Sequence, residues 1–279
     1  MNDMRDSENP SAVAPSGGDV ARGAGAVLIT GATGGLGREF ARRFAAEGRP
    51  LVLAARSGAS LDSLAGELRS RFGVAVDCVA CDLSEPLAAQ RLFDEAGRLG
   101  IEVDILVNNA GLAYDAPFMG SDPARQRALV QVDVAAPMEL ALLFGGLMAK
   151  RGRGGILNVA SVASFMPGPG MATYYASKAF VRSLSEALRV ELGGSGVHVC
   201  ALCPGPVRTP FWDTAGAGHT LLAHMAVGPG RIVDAGMRSL RRNKAVCVPG
   251  VLWKATVFLT RFVPRGLVAR IAAVLQRPA

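Results

Sequence analysis

From Ala26 onward, short runs of continuously apolar residues alternate with longer segments whose apolar positions recur at helical spacing. The short runs are Ala26 to Thr30, Leu51 to Ala55, Val74 to Ala80, Ile105 to Val107, Ile156 to Ala160 and Val197 to Leu202. Between them lie helical patterns at Gly37 to Ala46, Leu61 to Phe72, Pro86 to Leu99, Pro123 to Lys150 and Tyr174 to Leu192. Strands that are apolar throughout need cover on both faces, and strands joined through helices run parallel. Because such crossovers are right-handed, the pattern predicts an α/β fold: a doubly wound, mainly parallel sheet of about seven strands flanked by helices.

The pattern also divides the chain. Residues 1–23 are rich in Ser, Gly, Pro, Asn and Asp without periodicity and read as a disordered tail. The folded unit is expected over 24–250. Past Cys203 the order loosens into a Pro- and Gly-rich stretch, Pro204 to Gly230, with a short apolar segment around His219 to Val227. A long loop beyond a strand end, here 206–230, reads as a substrate lid. A helix from Val233 to Arg242 then leads into a seventh strand at Ala245 to Val248. Residues 251–279 form a C-terminal extension of two amphipathic helical pieces parted at Pro264. Such an extension could pack on the cleft, form a dimer contact or touch a membrane peripherally, and its sparse Arg and Lys favour the first two.

Composition narrows the functional classes. The chain has 279 residues, half of them hydrophobic, enough for one large core. Its net charge of +7 comes from 26 arginines and four lysines scattered along the sequence, with no basic run interleaved with aromatics. That argues against nucleic acid and leaves a basic surface suited to anionic cofactors. Cys78 and Cys81, and Cys200 and Cys203, have the spacing of zinc-site halves. Both pairs fall on strand patterns, where i and i+3 point to opposite faces, so no metal site is expected. An odd count of five cysteines without a secretory signal suggests reduced thiols and a cytoplasmic location. No apolar run reaches the ~18 residues of a spanning helix, and the best candidate, Val251 to Val263, is broken by Lys254 and Arg261.

Chemistry begins right after the first strand, in Thr30-Gly31-Ala32-Thr33-Gly34-Gly35-Leu36-Gly37 followed by a helix. Glycine there lets the strand turn sharply and the backbone approach a pyrophosphate, while the helix N-terminus offers unpaired N–H groups to the anion. This is the phosphate cradle of a Rossmann-type fold. The second strand ends in Leu53-Ala54-Ala55-Arg56-Ser57 and has no carboxylate before Asp62. A dinucleotide site with Arg56 in place of a ribose-binding acid predicts NADP(H), since the guanidinium suits a 2′-phosphate.

Tyr174 and Lys178 are one helical turn apart on one face. A phenol with an ordinary pKa near ~10 is a poor proton carrier at neutral pH, and an adjacent ammonium is expected to lower it. Ser161 ends the fifth strand run, at the edge where such sheets bind ligands, placed to donate a hydrogen bond to a substrate oxygen.

Together these residues resemble the short-chain dehydrogenase/reductase family in its compact, single-domain branch. The likeness runs from about Ala26 to Phe211: the Gly-rich turn at 30–37, Asp82-Leu83, Asn108-Asn109-Ala110-Gly111, Ser161, Tyr174 with Lys178, and Pro204-Gly205 with Val207 and Thr209. It implies Tyr174 as acid/base, Lys178 also binding the nicotinamide ribose and Ser161 positioning the carbonyl. It further implies Asp82 and Leu83 near adenine, Asn109, Ala110 and Gly111 lining the cofactor, and Pro204 to Thr209 holding the nicotinamide amide. A homodimer or homotetramer is expected.

Two features leave other readings open. Gly31, Gly34 and Gly37 also fit the family's extended branch of sugar-nucleotide epimerases and dehydratases, though the Asn-Asn-Ala-Gly run and the short remainder after Tyr174 favour the compact one. Asp133 stands where the family usually has an asparagine in its proton relay. An ionised aspartate accepts from water but cannot donate, and it draws on Lys178. A cofactor-binding non-enzyme, a sensor or scaffold, is therefore the alternative to a carbonyl–alcohol oxidoreductase. Phe165, Met166, Met171, Phe211 and Trp212 suggest a hydrophobic small-molecule substrate. His198, His219 and His224 are given no catalytic part.

Overall fold

A computed structural model describes residues 25–218, 220 and 224–275. The tail over 1–23 and His219 lie outside the described residues. Seven strands, β1 (Ala26–Thr30), β2 (Leu51–Ala55), β3 (Val76–Ala80), β4 (Val103–Asn108), β5 (Gly154–Val159), β6 (Val197–Leu202) and β7 (Val246–Cys247), form one sheet in the order β3-β2-β1-β4-β5-β6-β7. Every neighbouring pair is parallel. Ten helices accompany them among the described residues: α1 (Gly35–Ala46), α2 (Gly58–Phe72), α3 (Ala88–Arg98), α4 (Pro123–Val130), α5 (Ala136–Arg151), α6 (Ala172–Glu191), α7 (Phe211–Ala215), α8 (Pro229–Arg241), α9 (Val251–Leu259) and α10 (Arg265–Leu275).

Alternation along each strand divides the core into two layers. Val27 and Ile29 of β1 join Phe40 and Phe44 of α1, Leu61 and Leu64 of α2, and Val233 and Met237 of α8 on one face. Ala26 and Leu28 point the other way, to Leu92 of α3 and Leu140, Phe144 and Met148 of α5. The chain reverses its direction of winding between β1 and β4, so the crevice at their carboxyl ends is the natural ligand site of such a sheet.

Several boundaries depart from the sequence reading. β3 starts at Val76 rather than Val74, and β5 ends at Val159, so Ser161 lies beyond the strand. There it caps a 3₁₀ turn, Val162–Phe165, its Oγ accepting from Ala163 N at 3.1 Å. The single helix expected over Pro123 to Lys150 is interrupted by a π turn, Gln131–Ala135. Pro137 supplies the reason, because it has no N–H to give the carbonyl four residues back; the chain widens instead, and Ala136 N–H bonds Gln131 O. By length and composition Pro123–Arg151 would suffice to cross a membrane, displacing Val251 to Val263 as the best such candidate, but 50% of its apolar window is buried inside the fold. The stretch read as a loop over 206–230 contains α7 and is tied at its ends by a parallel bridge between Val207 and Val227.

Candidate active site

The carboxyl ends of the strands open into a cleft of about 480 Å³. Its first wall is the turn from β1 into α1. Gly31 has φ +62°, and a Cβ there would meet Ala110 Cα at 2.9 Å. At Gly37 a Cβ would run into the carbonyl oxygen of Gly31 and stand 2.9 Å from Ala32 Cα, so the tight turn requires glycine at both places. Gly34 is the N-cap of α1 and provides no side-chain cap, which leaves the first N–H groups of the helix facing the cleft for an anion. A dinucleotide pyrophosphate fits this cradle, with Gly31, Thr33, Gly35 and Leu36 lining it.

Arg56 at the end of β2 is exposed and lines the same cleft beside Asp82 and Leu83. Asp82 Oδ1 accepts from Ser84 N at 2.9 Å and from Ser84 Oγ at 2.7 Å. Burial pushes this carboxyl up, but those two bonds and the nearby Arg56 charge outweigh it and hold it below the ordinary aspartate range. Asn109, Ala110 and Gly111 line the opposite side. The Asn109 amide, however, is committed to the protein: Nδ2 donates to Thr30 O at 2.9 Å and Gly31 O at 3.1 Å, pinning the end of β4 to the glycine turn. Thr30 Oγ1 completes the seam by accepting from Asn109 N and Ala110 N at 3.0 and 3.1 Å.

Ser161, Tyr174 and Lys178 converge on the floor of the cleft. Tyr174 is half-buried and hydrogen-bonded to Ser161. Lys178 Nζ lies 5.6 Å from the Tyr174 ring centre, 3.4 Å from Val159 O and 3.0 Å from Asp133 Oδ2. Asp133, turned inward by the π turn and 1% exposed, also accepts from Leu112 N at 2.6 Å and from Ser177 Oγ at 3.4 Å. Burial drives the Asp133 carboxyl upward, against the pull of Lys178 and these donors.

This arrangement corrects one expectation. Lys178 is paired with Asp133, and burial rather than the ammonium one turn along α6 dominates at the phenol. Burial raises the Tyr174 hydroxyl above the ordinary phenol range, the Ser161 hydrogen bond opposes this, and the Asp133 carboxylate adds to the rise. Burial thus favours the protonated form of Tyr174 in this structure.

Most of the anticipated lining is present, including Pro204, Gly205, Val207 and Thr209, with the Thr209 side chain packed against Gly35 of the glycine turn. Gly37 and Asp133 stand behind the wall rather than in it. Met166, Met171, Phe211 and Trp212 supply apolar lining, whereas Phe165 turns away and stacks under Arg182 at 4.3 Å. His198 bonds Leu240 O and His224 bonds Thr220 O through Nδ1, away from the floor. The five cysteines are free thiols; Cys81 lines the cleft, while Cys203 is buried and pushed up to about 12 by burial.

Sequence reasoning missed two groups. Asn158, inside the apolar run of β5, donates to Ser185 Oγ of α6 at 2.9 Å and accepts from Asn108 Nδ2 at 2.8 Å, fixing α6 to the sheet beneath Tyr174. A polar residue in an otherwise apolar strand was the available signal. Trp253, Thr256 and Ala272 of α9 and α10 also line the cleft. The Trp253 indole lies against Gly205, where any Cβ would collide with it.

A glycine-capped switch point on a fully parallel sheet defines a dinucleotide-binding α/β protein. The chain belongs to the short chain dehydrogenase family, whose model matches residues 25–219. It is 33% identical over 222 residues to the very-long-chain 3-oxoacyl-CoA reductase of Pyrenophora tritici-repentis, covering 77% of this chain. It is 36% identical over 190 residues to the 1-deoxy-11-beta-hydroxypentalenate dehydrogenase of Streptomyces exfoliatus, covering 67% of this chain and 68% of that one. The matched stretch spans 63% of the Pyrenophora reductase and 52% of its Phaeosphaeria nodorum counterpart. Among solved structures, a short-chain dehydrogenase from Sphingobium yanoikuyae in complex with NADPH aligns with TM-score 0.77 and 34% identity, over 85% of this chain and 94% of that one. A Burkholderia phymatum relative in complex with NAD aligns with TM-score 0.76 and 28% identity, over 85% and 93%. Complexes with NADPH and with NAD thus both occur among these neighbours.

Proposed function

We propose that this oxidoreductase reduces the carbonyl of a hydrophobic small molecule with NADPH, Tyr174 giving the proton. The observation that carries the reading is the convergence of Ser161, Tyr174 and Lys178 in one largely apolar cleft with the glycine-turn cradle. A phenol is protonated at neutral pH and can pass its proton to a forming alkoxide, a far stronger base, although the rise that burial imposes makes Tyr174 a weaker acid than a free phenol. Ser161 steadies the substrate oxygen as charge develops on it. In this reading Lys178, held between Asp133 and Val159 O, binds a ribose hydroxyl and returns the proton to Tyr174. A reduced nicotinamide bound in the cleft supplies the hydride.

Support for NADPH over NADH is local. Arg56 is the charged side chain at the end of β2, and the NADPH complex of the Sphingobium relative shows that a neighbour takes this cofactor. Met166, Met171, Phe211 and Trp212 support an apolar substrate. The test is oxidation of NADPH and of NADH by the purified chain against a panel of aldehydes and ketones of increasing size. The reading expects turnover with NADPH, favoured for bulky apolar carbonyls. NADPH binding without turnover on any of them would favour a sensor instead.

A further inference from the structure

The helical pair at the end of the described chain is apolar on its outside. Val251, Leu252, Phe258 and Leu259 of α9, with Phe262 just beyond it, are 84%, 58%, 55%, 59% and 71% exposed. At 100° per residue they share one face, and the Phe258 and Phe262 rings meet edge to face at 5.2 Å. On α10, Leu267, Ile271 and Val274 recur at i, i+4 and i+7 and are about half exposed. The inner sides are already used: Val257, Val268 and Ala272 are buried, and Trp253, Thr256 and Ala272 line the cleft. Apolar surface of this extent left in water is costly and marks a contact.

Charge indicates what makes that contact. Beyond Asp234 the sequence contains arginine and lysine but neither aspartate nor glutamate, and this stretch carries more than the whole net charge of +7. Lys254, Arg261, Arg265 and Arg270 on or between the two helices are all exposed. The sequence makes these cations look few, yet among the described residues none of them forms an ion pair with an acid. A two-fold contact between copies would bring this unopposed positive charge against itself. An anionic bilayer meets both features at once, accepting the apolar face at the acyl boundary and the cations at the headgroups.

We propose that α9 and α10 seat the protein peripherally on bilayers containing anionic lipid. Because the same helices form part of the cleft wall, docking holds the substrate entrance against the bilayer, where an apolar carbonyl would be concentrated. This last consequence rests on the proposed reductase activity; the docking does not.

The test is co-sedimentation of the full chain with phosphatidylcholine vesicles with and without phosphatidylglycerol. Binding to the anionic vesicles is expected, at least about tenfold weaker on neutral ones, and falling as salt rises. The double variant Phe258→Ser with Phe262→Ser is expected to lose about tenfold in partitioning while keeping its reduction of a water-soluble aldehyde. Arg261→Gln with Arg265→Gln keeps the apolar face and is expected to lose a comparable factor on anionic vesicles alone. Background sedimentation with both vesicle types would overturn the proposal, as would unchanged partitioning of both double variants. So would a dimer, seen by light scattering, that the phenylalanine variant converts to monomer, since the face would then join two copies. Vesicle binding as expected without any aldehyde turnover would refute the reductase reading and leave the docking intact.

Discussion

At 3.0 Å from Lys178 Nζ, the buried Asp133 carboxylate takes up the charge that would otherwise act on Tyr174. An asparagine there would leave Lys178 unpaired and remove a negative charge that helps keep the phenol protonated. The reverse reaction, alcohol oxidation, needs the phenolate, so its rate rises with pH through the Tyr174 titration. Asp133→Asn should move that rise to lower pH by about one unit, equivalent to ~1.4 kcal/mol. The kcat/KM profile for alcohol oxidation checks this, and an unmoved profile would mean that the pair does not reach Tyr174. Arg56 acts at the other end of the cleft. Arg56→Asp should cut the preference for NADPH over NADH by about tenfold or more, as expected for loss of a charge-assisted bond. Dissociation constants for both cofactors decide it.

Elements place those residues, and they were legible to different degrees. The glycine turn, Arg56 and the Tyr174–Lys178 spacing could be read directly, because strand alternation and helix periodicity say which way each side chain points. The π turn could not. Its cause, the missing N–H of Pro137, is visible in sequence, but whether a helix kinks, ends or widens there depends on packing around it. Consequently Asp133 and its pull on Lys178 were legible, while the bond it accepts from Leu112 N was not. Asn109 was likewise placed in the cleft, but its donors go to the backbone of the glycine turn, a pairing between distant segments. The turn itself makes a sharp prediction. In Gly37→Ala the new methyl meets backbone atoms that cannot yield without opening the cradle. NADPH affinity should fall at least about tenfold and stability by ~1–3 kcal/mol. Isothermal titration and denaturant unfolding measure the two effects, and a variant with parental values of both would show that the turn has slack.

At the scale of the molecule, a doubly wound parallel sheet of seven strands followed from the alternation of apolar runs and crossovers, since parallel pairing and right-handedness leave few arrangements. What the chain does after β7 did not follow. Packing on the cleft was one of the places open to the extension, but nothing in a linear pattern says that α9 returns over Gly205. Trp253→Ala tests that placement. It should raise KM for bulky apolar carbonyls about threefold to tenfold, equivalent to ~1 kcal/mol of lost apolar contact, and leave small aldehydes nearly unaffected. Equal effects on both would assign Trp253 to folding rather than to the cleft wall. The most direct test of the whole account is Tyr174→Phe, assayed for NADPH binding and for carbonyl reduction side by side. The account predicts parental NADPH affinity with turnover reduced by about 10²–10⁴-fold, the usual worth of a positioned proton donor; turnover close to the parent's would show that the proton comes from elsewhere.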